Sequence, residues 1–298
     1  MGISALTPDL LKAAHHQIFK LRYVLNSAMY GEMLLKDILP EIKKTKSESI
    51  DIWRKVHGNQ REQISEMGDE ACMALLDKHN AKISMSTCYP LGPFKLQEEM
   101  VWLKQYGGKI IVCGSVYHKR PEPAGQDAKR LVLDLLEKMK PHLEKAEETG
   151  ITIALENHSK QVLYTPDSIR YFAEFNKSKH LGIAFAPHHL YKHEDEIPQL
   201  IRDLGDHNIP FMYFQEHSAG IYEKVAKEIE MQQLPGYGGG LDYHLIISAL
   251  RDIQYNGLVQ IFMHPVPRGI PILPTISEIT AAINKSRDYL KECLAKTA

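Results

Sequence analysis

The stretch LVLDLLEKMKPHLEKAEETGITIALENH, residues 131–158, places a helical pattern directly before a strand pattern. Its first part carries leucines at helical spacing, and Gly150 is the kind of residue that commonly ends a helix. The apolar, β-rich run ITIALENH at 151–158 follows at once, which is the short helix-to-strand connection of repeated β/α units. This stretch therefore predicts one helix and one strand of an α/β fold.

The same alternation recurs along the whole chain. Each β-rich apolar run is followed by a helical pattern, and counting residues 151–158 there are eight of them, which is the arrangement of a (β/α)8 barrel. The other seven runs lie at 21–27, 49–53, 82–89, 109–117, 181–189, 210–217 and 258–265. We therefore expect an α/β fold in which residues 1–298 form a single (β/α)8, or TIM, barrel domain. Residues 1–20 are expected to form a short N-terminal helical extension, capped by Thr7 with Pro8 in its first turn.

A doubly wound open sheet would give the same alternation of strands and helices. Its dinucleotide-binding form requires G-x-G-x-x-G between the first strand and the first helix, where this chain reads NSAMYGEM. The glycine cluster GYGGG at 236–240 follows no strand directly and lacks the Lys-Ser/Thr of a phosphate-binding loop. We interpret this cluster as a turn that leads into a helix capped by Asp242.

Composition excludes several classes of function. Of the 298 residues, 44% are hydrophobic and 24% charged, and 36 basic side chains face 37 acidic ones for a net charge of -1. Because nucleic-acid binding normally requires a basic excess or a basic face, no nucleic-acid partner is expected. No run approaches the roughly 20 apolar residues that cross a bilayer, so no membrane partner is expected either. The 4 cysteines are scattered without a C-x-x-C pair, which favours a reducing cytoplasm over a disulfide framework.

Polar residues collect at the ends of the predicted strands in the second half of the chain. In a TIM barrel the chemistry lies at the C-terminal ends of the strands, where the βα loops converge. All four closing strands finish on histidine. These ends read Glu156-Asn157-His158, Ala186-Pro187-His188-His189, Gln215-Glu216-His217 and Phe262-Met263-His264.

Strand alternation predicts that several of these imidazoles share one face. Side chains two residues apart lie on the same side of a strand, so His158, His188, His217 and His264 are expected to form a ring near the mouth of the barrel. Neutral imidazoles together with the Glu156 carboxylate suit zinc, manganese or iron. A metal-free polar pocket built from the same residues remains the alternative.

Three motifs carry a resemblance to a known family. The runs GITIALENH at 150–158, GIAFAPHHL at 182–190 and GYGGGLDYHLIISALRDIQYNG at 236–257 resemble the sugar phosphate isomerase/epimerase family of xylose isomerase-like barrels. In that family the fifth strand ends in a metal-binding Glu within an E-N-H sequence, which Glu156 and His158 match. The sixth strand carries an Asp ligand followed, three residues on, by a His. His189 matches this His, whereas Ala186 stands at the place of the Asp.

The two remaining ligand positions of the family also differ. The seventh strand usually supplies a His ligand, and Gln215 stands there as a candidate oxygen donor. The last strand usually ends in a second Glu, and Phe262 occupies its place. Either the metal is absent and these polar groups bind a sugar directly, or it has moved toward the mouth. The second alternative predicts a metal site of Glu156, His188, His217 and His264 for zinc, manganese or iron.

The resemblance implies proton abstraction next to a carbonyl on a sugar or polyol, with a small-molecule sugar as partner. Glu156 is the first candidate for base or ligand. The second catalytic candidate is His264, which lies two residues beyond Phe262, the residue at the place of the family's second Glu. An imidazole pKa of about 6.5 suits proton transfer near neutrality. Two alternatives stay open, a keto-sugar lyase or dehydratase and a non-catalytic carbohydrate-binding protein. Homo-oligomers are compatible with this family. The expected substrate-binding residues are His158, His189, Gln215 and Arg268.

Overall fold

The computed structural model describes residues 19–118 and 122–297. Parallel strands β1 to β8 form a closed barrel in chain order, so the predicted TIM barrel is confirmed. Residues 1–18 of the predicted N-terminal helical extension lie outside the described residues. The strands are β1 Arg22–Asn26, β2 Ser49–Trp53, β3 Ile83–Thr87, β4 Ile110–Gly114, β5 Thr152–Glu156, β6 Leu181–Phe185, β7 Phe211–Phe214 and β8 Leu258–Ile261.

Helices cover the outside of the barrel, and four of the βα connections in the described part of the chain contain 3-10 segments. The α-helices are α1 Leu35–Ile38, α2 Glu41–Lys44, α3 Gln60–Met67, α4 Asp69–His79, α5 Gln97–Gln105, α6 Gly125–Thr149, α7 Pro166–Phe175, α8 Ile197–Asn208, α9 Lys227–Met231, α10 Tyr243–Asp252 and α11 Ile276–Lys296. The 3-10 segments are Ser27–Tyr30, Tyr89–Leu91, Pro187–Glu196 and Ala219–Ile221.

Helix α6 and strand β5 follow the pattern that predicted them. Leu131, Leu135 and Met139 lie on the buried face of α6, as their spacing requires. Gly150 adopts a φ of 69° and ends the helix through backbone hydrogen bonds to the preceding turn. Strand β5 then begins two residues later, which places Glu156 at its mouth end.

A buried polar network lies within the barrel, below the strand ends. The Asp51 carboxylate, fully buried on β2, accepts hydrogen bonds from Trp53 Nε1 at 2.5 Å, Thr87 Oγ1 at 2.8 Å and Gln260 Nε2 at 3.0 Å. Asn26 Nδ2 donates to Gln260 Oε1 at 2.6 Å, which extends the network to β1. These bonds hold the Trp53 indole in place beneath the mouth of the barrel.

Asp51 makes the stability of the fold depend on pH in a defined direction. Burial raises its pKa from 3.8 to about 6, against the opposing effect of its three hydrogen bonds. The folded state therefore binds more protons than the unfolded state between these values, and the contribution of Asp51 to stability falls as the pH rises from about 4 to 6. At about 1.4 kcal/mol for each pKa unit, the loss is roughly 3 kcal/mol.

We expect Asp51→Asn to remove this dependence, because the amide oxygen can accept the same hydrogen bonds without charge. Urea unfolding at pH 4 and pH 7 is the measurement. Between pH 4 and pH 7, the free energy of unfolding of the variant should rise relative to that of wild type by up to about 3 kcal/mol. An identical pH dependence in both proteins would show that Asp51 titrates normally in the folded state.

Within the described ranges, 19–118 and 122–297, no helix is both long enough and apolar enough to span a bilayer.

Candidate functional site

Glu156 is a buried carboxylate at the C-terminal end of β5. Its strand pairs with β4 through Gly114 and with β6 through Ala184, so both neighbours present small residues beside the carboxylate. The Tyr89 hydroxyl lies near Glu156 and 3.1 Å from the Tyr213 hydroxyl. Burial raises the pKa of Glu156, while His158 and the Tyr89 hydroxyl oppose the rise. The carboxylate is therefore a stronger base than a solvated glutamate.

Two histidines join Glu156 in a potential metal-binding group. One ligand atom each from Glu156, His158 and His189 lies within 4.8 Å of the others, the one such group found among the described residues. His189 Nε2 is 3.8 Å from Glu156 Oε1, and the His158 and His189 ring centroids are 4.0 Å apart. His158 Nδ1 donates to the Ser159 carbonyl at 2.9 Å, which leaves Nε2 with its lone pair free.

His188 and His189 lie on the same side of the site, contrary to the strand alternation used to predict the ring of imidazoles. Strand β6 ends at Phe185, and Pro187 begins a 3-10 segment, so the alternation of β6 does not extend to either histidine. Their ring centroids are 4.1 Å apart and both residues are buried. Burial lowers the pKa of both imidazoles, and none of their four ring nitrogens has a hydrogen-bond partner.

His217 and His264, just beyond the ends of β7 and β8, lie near His188 and His189. Burial lowers the pKa of both, that of His217 to about 4. His217 Nε2 and His264 Nδ1 are buried without a hydrogen-bond partner. His264 also packs against His57, with ring centroids 4.9 Å apart. Ligation by His188, His217 and His264 remains a prediction, because the close group contains His158 and His189 beside Glu156.

Unpaired imidazole nitrogens are the observation that fits a divalent cation at this site. A buried polar atom without a partner costs free energy, so several of them around one carboxylate indicate a bound group. The ligand atoms of one tetrahedral zinc lie about 3.3 Å apart, which is close to the 3.8 Å between His189 and Glu156. Neutral imidazole and carboxylate are ligands that zinc, manganese and iron accept.

Of the three family ligand positions that differ in this chain, Phe262 and Ala186 have structural roles. Phe262 packs at a centroid distance of 4.9 Å from Trp53 and 5.4 Å from Tyr213, where it closes the barrel below the histidines. The Ala186 backbone is held by Asn157, whose side chain accepts from the Ala186 N–H at 2.7 Å and donates to its carbonyl at 2.9 Å.

Gln215 and Arg268 take part in the architecture of the closing strands. Gln215 Nε2 donates to Gln233 Oε1 at 2.9 Å, while Gln215 Oε1 is buried without a partner. Gln233 also accepts from the His264 N–H at 2.8 Å and donates to its carbonyl at 2.9 Å, so it ties the end of β7 to the end of β8. Arg268 donates to the Pro265 carbonyl at 2.7 Å and to the Ile221 carbonyl at 2.6 Å, which fixes two mouth loops.

The sequence interpretation missed His57, Tyr89 and Gln233. His57 and Tyr89 follow strands of the first half, β2 and β3, which no histidine-rich ending marked. Gln233 comes from the loop after β7 and resembles any polar loop residue. The position of Tyr89 beyond the end of β3 was the one available signal for an inward-facing hydroxyl.

The glycine cluster at 236–240 wraps the Glu216 carboxylate instead of forming a free turn. The Gly236 N–H donates to Glu216 Oε1 at 3.0 Å, and the backbones of Gly239, Gly240 and Leu241 add further hydrogen bonds. Asp242 then caps α10 by accepting from the His244 and Leu245 N–H groups, as predicted. The loop therefore anchors the segment between Gln215 and His217.

Gly239→Ala is expected to lower stability by about 2–3 kcal/mol through overpacking. A Cβ at Gly239 would lie 2.5 Å from Glu216 Cβ and 2.7 Å from the His217 carbonyl oxygen, and closer still to the Gln232 carbonyl. Denaturant unfolding measures the loss. Gly92→Ala is the control, since a Cβ there meets nothing within 4 Å and costs only about 1 kcal/mol for its positive φ. Equal losses in the two variants would contradict the packing argument.

Comparison with known proteins identifies the family. A model of the xylose isomerase-like TIM barrel family matches residues 40–293, most of the chain. The chain belongs to this family. No curated protein sequence matches it.

Solved structures with the same fold cover nearly the whole chain at low sequence identity. The IOLI protein with a zinc atom has a TM-score of 0.71 and 16% identity, covering 93% of this chain and 99% of that one. D-allulose 3-epimerase from Methylomonas has a TM-score of 0.66 and 14% identity, with coverage of 93% and 99%. 3-keto-D-glucoside 4-epimerase from E. coli has a TM-score of 0.65 and 17% identity, with coverage of 92% and 100%. These likenesses establish a shared fold.

Proposed function

We propose that the protein is a sugar or polyol isomerase or epimerase that abstracts a proton next to a carbonyl. The observation that carries this proposal is the Glu156 carboxylate, buried at the barrel mouth with its Oε1 3.8 Å from His189 Nε2. Such chemistry requires a base of raised pKa and a means of stabilising the developing oxyanion. Glu156 and the surrounding imidazoles provide both kinds of group in one cavity.

Proteins of the same fold support this choice of substrate class. Two of the structural neighbours are described as epimerases, one acting on D-allulose and one on a 3-keto-D-glucoside, and a third holds zinc. The reactions of both epimerases invert a carbon centre of a sugar. The unpaired imidazoles of this chain lie at the mouth end of its barrel, where chemistry takes place in TIM barrels.

Each residue has a distinct part in the proposed reaction. Glu156, made more basic by burial, accepts the proton from the carbon next to the carbonyl. His264, whose imidazole is neutral because burial lowers its pKa, stands as the second proton carrier. A divalent cation held by Glu156, His158 and His189 would polarise the carbonyl and stabilise the oxyanion. With such a cation bound, Glu156 would serve as a ligand, and proton transfer would fall to His264.

Two alternatives on the same scaffold follow from particular features. A keto-sugar lyase or dehydratase needs one base, which Glu156 or His264 supplies without a second carboxylate. A carbohydrate-binding protein without turnover is favoured by Ala186 and Phe262, which stand at positions where the family has acidic ligands. Glu156→Gln separates binding from catalysis, because a pure binding protein would retain its affinity for sugar.

Incubation with ketoses tests the proposal. Purified protein supplied with zinc or manganese is mixed with D-allulose, D-tagatose, L-ribulose or 3-keto-D-glucosides, and the products are identified by NMR. A new epimer or ketose–aldose isomer would support the proposal, and an unsaturated or cleaved product would favour the lyase or dehydratase. Sugar binding without conversion by the metal-loaded protein would favour the binding protein.

A further inference from the structure

Two tyrosines stand exposed at the mouth of the barrel. Tyr191 lies in the 3-10 segment after β6 and is 49% exposed, and Tyr222 lies just after the 3-10 segment that follows β7 and is 64% exposed. Large aromatic rings are usually at least partly covered, because burying them is favourable. Exposure of two such rings beside a candidate active site therefore marks them as a place for a ligand.

Both tyrosines are connected to the residues of the site. The Tyr191 ring packs edge-on against the His217 ring, with centroids 5.2 Å apart and planes at 78°. The Tyr222 hydroxyl lies near the side chain of Ser159, which opposes the rise that burial gives the pKa of Tyr222. The Ser159 carbonyl in turn orients His158. The two rings thus lie beside the group of histidines, on the side of β5, β6 and β7.

The loop that carries Tyr222 is held in place. Arg268 donates at 2.6 Å to the carbonyl of Ile221, the residue before Tyr222, and at 2.7 Å to Pro265 in the loop after β8. At the start of the same segment, the Ser218 hydroxyl accepts a hydrogen bond from the Gly220 N–H at 3.1 Å. A fixed ring loses little conformational entropy when a ligand stacks on it.

We propose that Tyr191 and Tyr222 form a second subsite, which binds a ring attached to the reacting sugar. The inference rests on the proposed function, and it makes the substrate a glycoside rather than a free monosaccharide. Sugar rings and aryl rings both stack on aromatic side chains through their apolar faces, while a tyrosine hydroxyl can bond to sugar hydroxyls. Because Tyr191 packs on His217, a ring bound there would continue outward from the cavity around Glu156.

The chemistry of a glycoside then fixes where its carbonyl lies. The anomeric carbon of a glycoside is an acetal, so proton abstraction requires a ketone at another ring carbon. The base removes the proton from the carbon next to this ketone, and the electron pair of that C–H bond passes into an enediolate. Return of a proton to the opposite face gives the epimer, with no oxidant or reductant consumed. A keto-glycoside is the expected class, and oxidation of a ring alcohol must supply it.

Binding of an unreactive probe tests the subsite independently of turnover. We would titrate wild type, Tyr191→Ala and Tyr222→Ala with 4-nitrophenyl β-D-glucoside and with D-glucose by isothermal calorimetry. Neither probe carries the ring ketone. Leu245→Ala is the matched control, because Leu245 is 55% exposed on the outer helix α10. Tyr222→Phe keeps the ring and removes the hydroxyl.

We expect the glucoside to bind wild type at least about tenfold more tightly than glucose. Each alanine variant should lose about fivefold or more of the affinity for the glucoside while its affinity for glucose changes less than twofold, and Tyr222→Phe should retain most of the affinity. Equal binding of the two probes, or equal losses for both, would overturn the proposal. The proposal would also be overturned if sedimentation showed that wild type is a dimer and the alanine variants are monomers, because the tyrosines would then cover each other in the dimer.

A second measurement separates this inference from the proposed function. The initial rate of epimerisation is compared for 4-nitrophenyl 3-keto-β-D-glucoside and 3-keto-D-glucose. A higher kcat/KM for the glucoside, reduced through KM in Tyr191→Ala, supports the subsite. If the glucoside binds through the tyrosines but neither ketone reacts, the proposed function fails and the subsite stands. If both ketones react equally well in all variants, the proposed function stands and the subsite fails.

Discussion

His158→Ala and His189→Ala are each expected to weaken zinc binding by at least about a hundredfold. Each substitution removes one of the three ligand atoms that lie within 4.8 Å of one another. Loss of a residue that only supports a ligand already weakens metal binding by about 10- to 100-fold, so loss of a ligand itself should cost at least as much. Zinc affinity is measured by competition with a chromophoric chelator.

The control for these variants is His79→Ala, at the end of the outer helix α4. It should leave zinc affinity unchanged, and circular dichroism should report a folded barrel in all three variants. His188→Ala is measured in parallel, because its ring centroid lies 4.1 Å from that of His189. Retention of zinc in His158→Ala and His189→Ala with loss in His188→Ala would contradict the close group and favour the sequence-predicted one.

Glu156→Gln is expected to lower turnover by about a thousandfold while the barrel stays folded. General base catalysis contributes about 10²–10⁴ to a rate, and an amide cannot accept the proton. The same substitution impairs metal binding if Glu156 is a ligand. Both proposed roles of Glu156, as base and as metal ligand, therefore predict the same loss of turnover.

The physical state of Glu156 also predicts how this variant folds. Burial raises the pKa of Glu156, so the folded protein bears a cost for ionising it that a neutral amide avoids. The melting temperature of Glu156→Gln should therefore equal or exceed that of wild type at neutral pH.

His264→Ala should reduce turnover less than Glu156→Gln when both are measured without added metal. A Glu156→Gln variant with a third of wild-type turnover would contradict the assigned role.

Much of the fold could be predicted because its signals are local. Apolar runs, each followed by a helical pattern, recur eight times, and helix α6 ends before Gly150 as expected. The same regularity located the strand ends, which is why Glu156 and the histidines of β5 to β8 could be named from sequence. Closure of the barrel then brings the ends of these distant segments close together.

The details of the site depend on local departures from regular structure and on tertiary contacts. Pro187 ends the strand pattern at β6, so His188 and His189 pack side by side and His189 reaches Glu156. The polar network around Asp51 joins strands that are far apart in sequence. It could not be predicted because it depends on the folded barrel, which brings Gln260 beside Asp51. Neither feature has a periodic signature.

Incorporation of solvent deuterium tests the central claim most directly. Wild type and Glu156→Gln are incubated in D2O with keto-sugars and with 3-keto-glucosides, and deuterium at the carbon next to the carbonyl is followed by NMR and mass spectrometry. We expect wild type to exchange this hydrogen at a rate about a thousandfold above that of Glu156→Gln. The contradicting result is a keto-sugar that wild type binds or converts while no deuterium appears at that carbon. Such a result would exclude exchange of this proton with solvent through a base at this site.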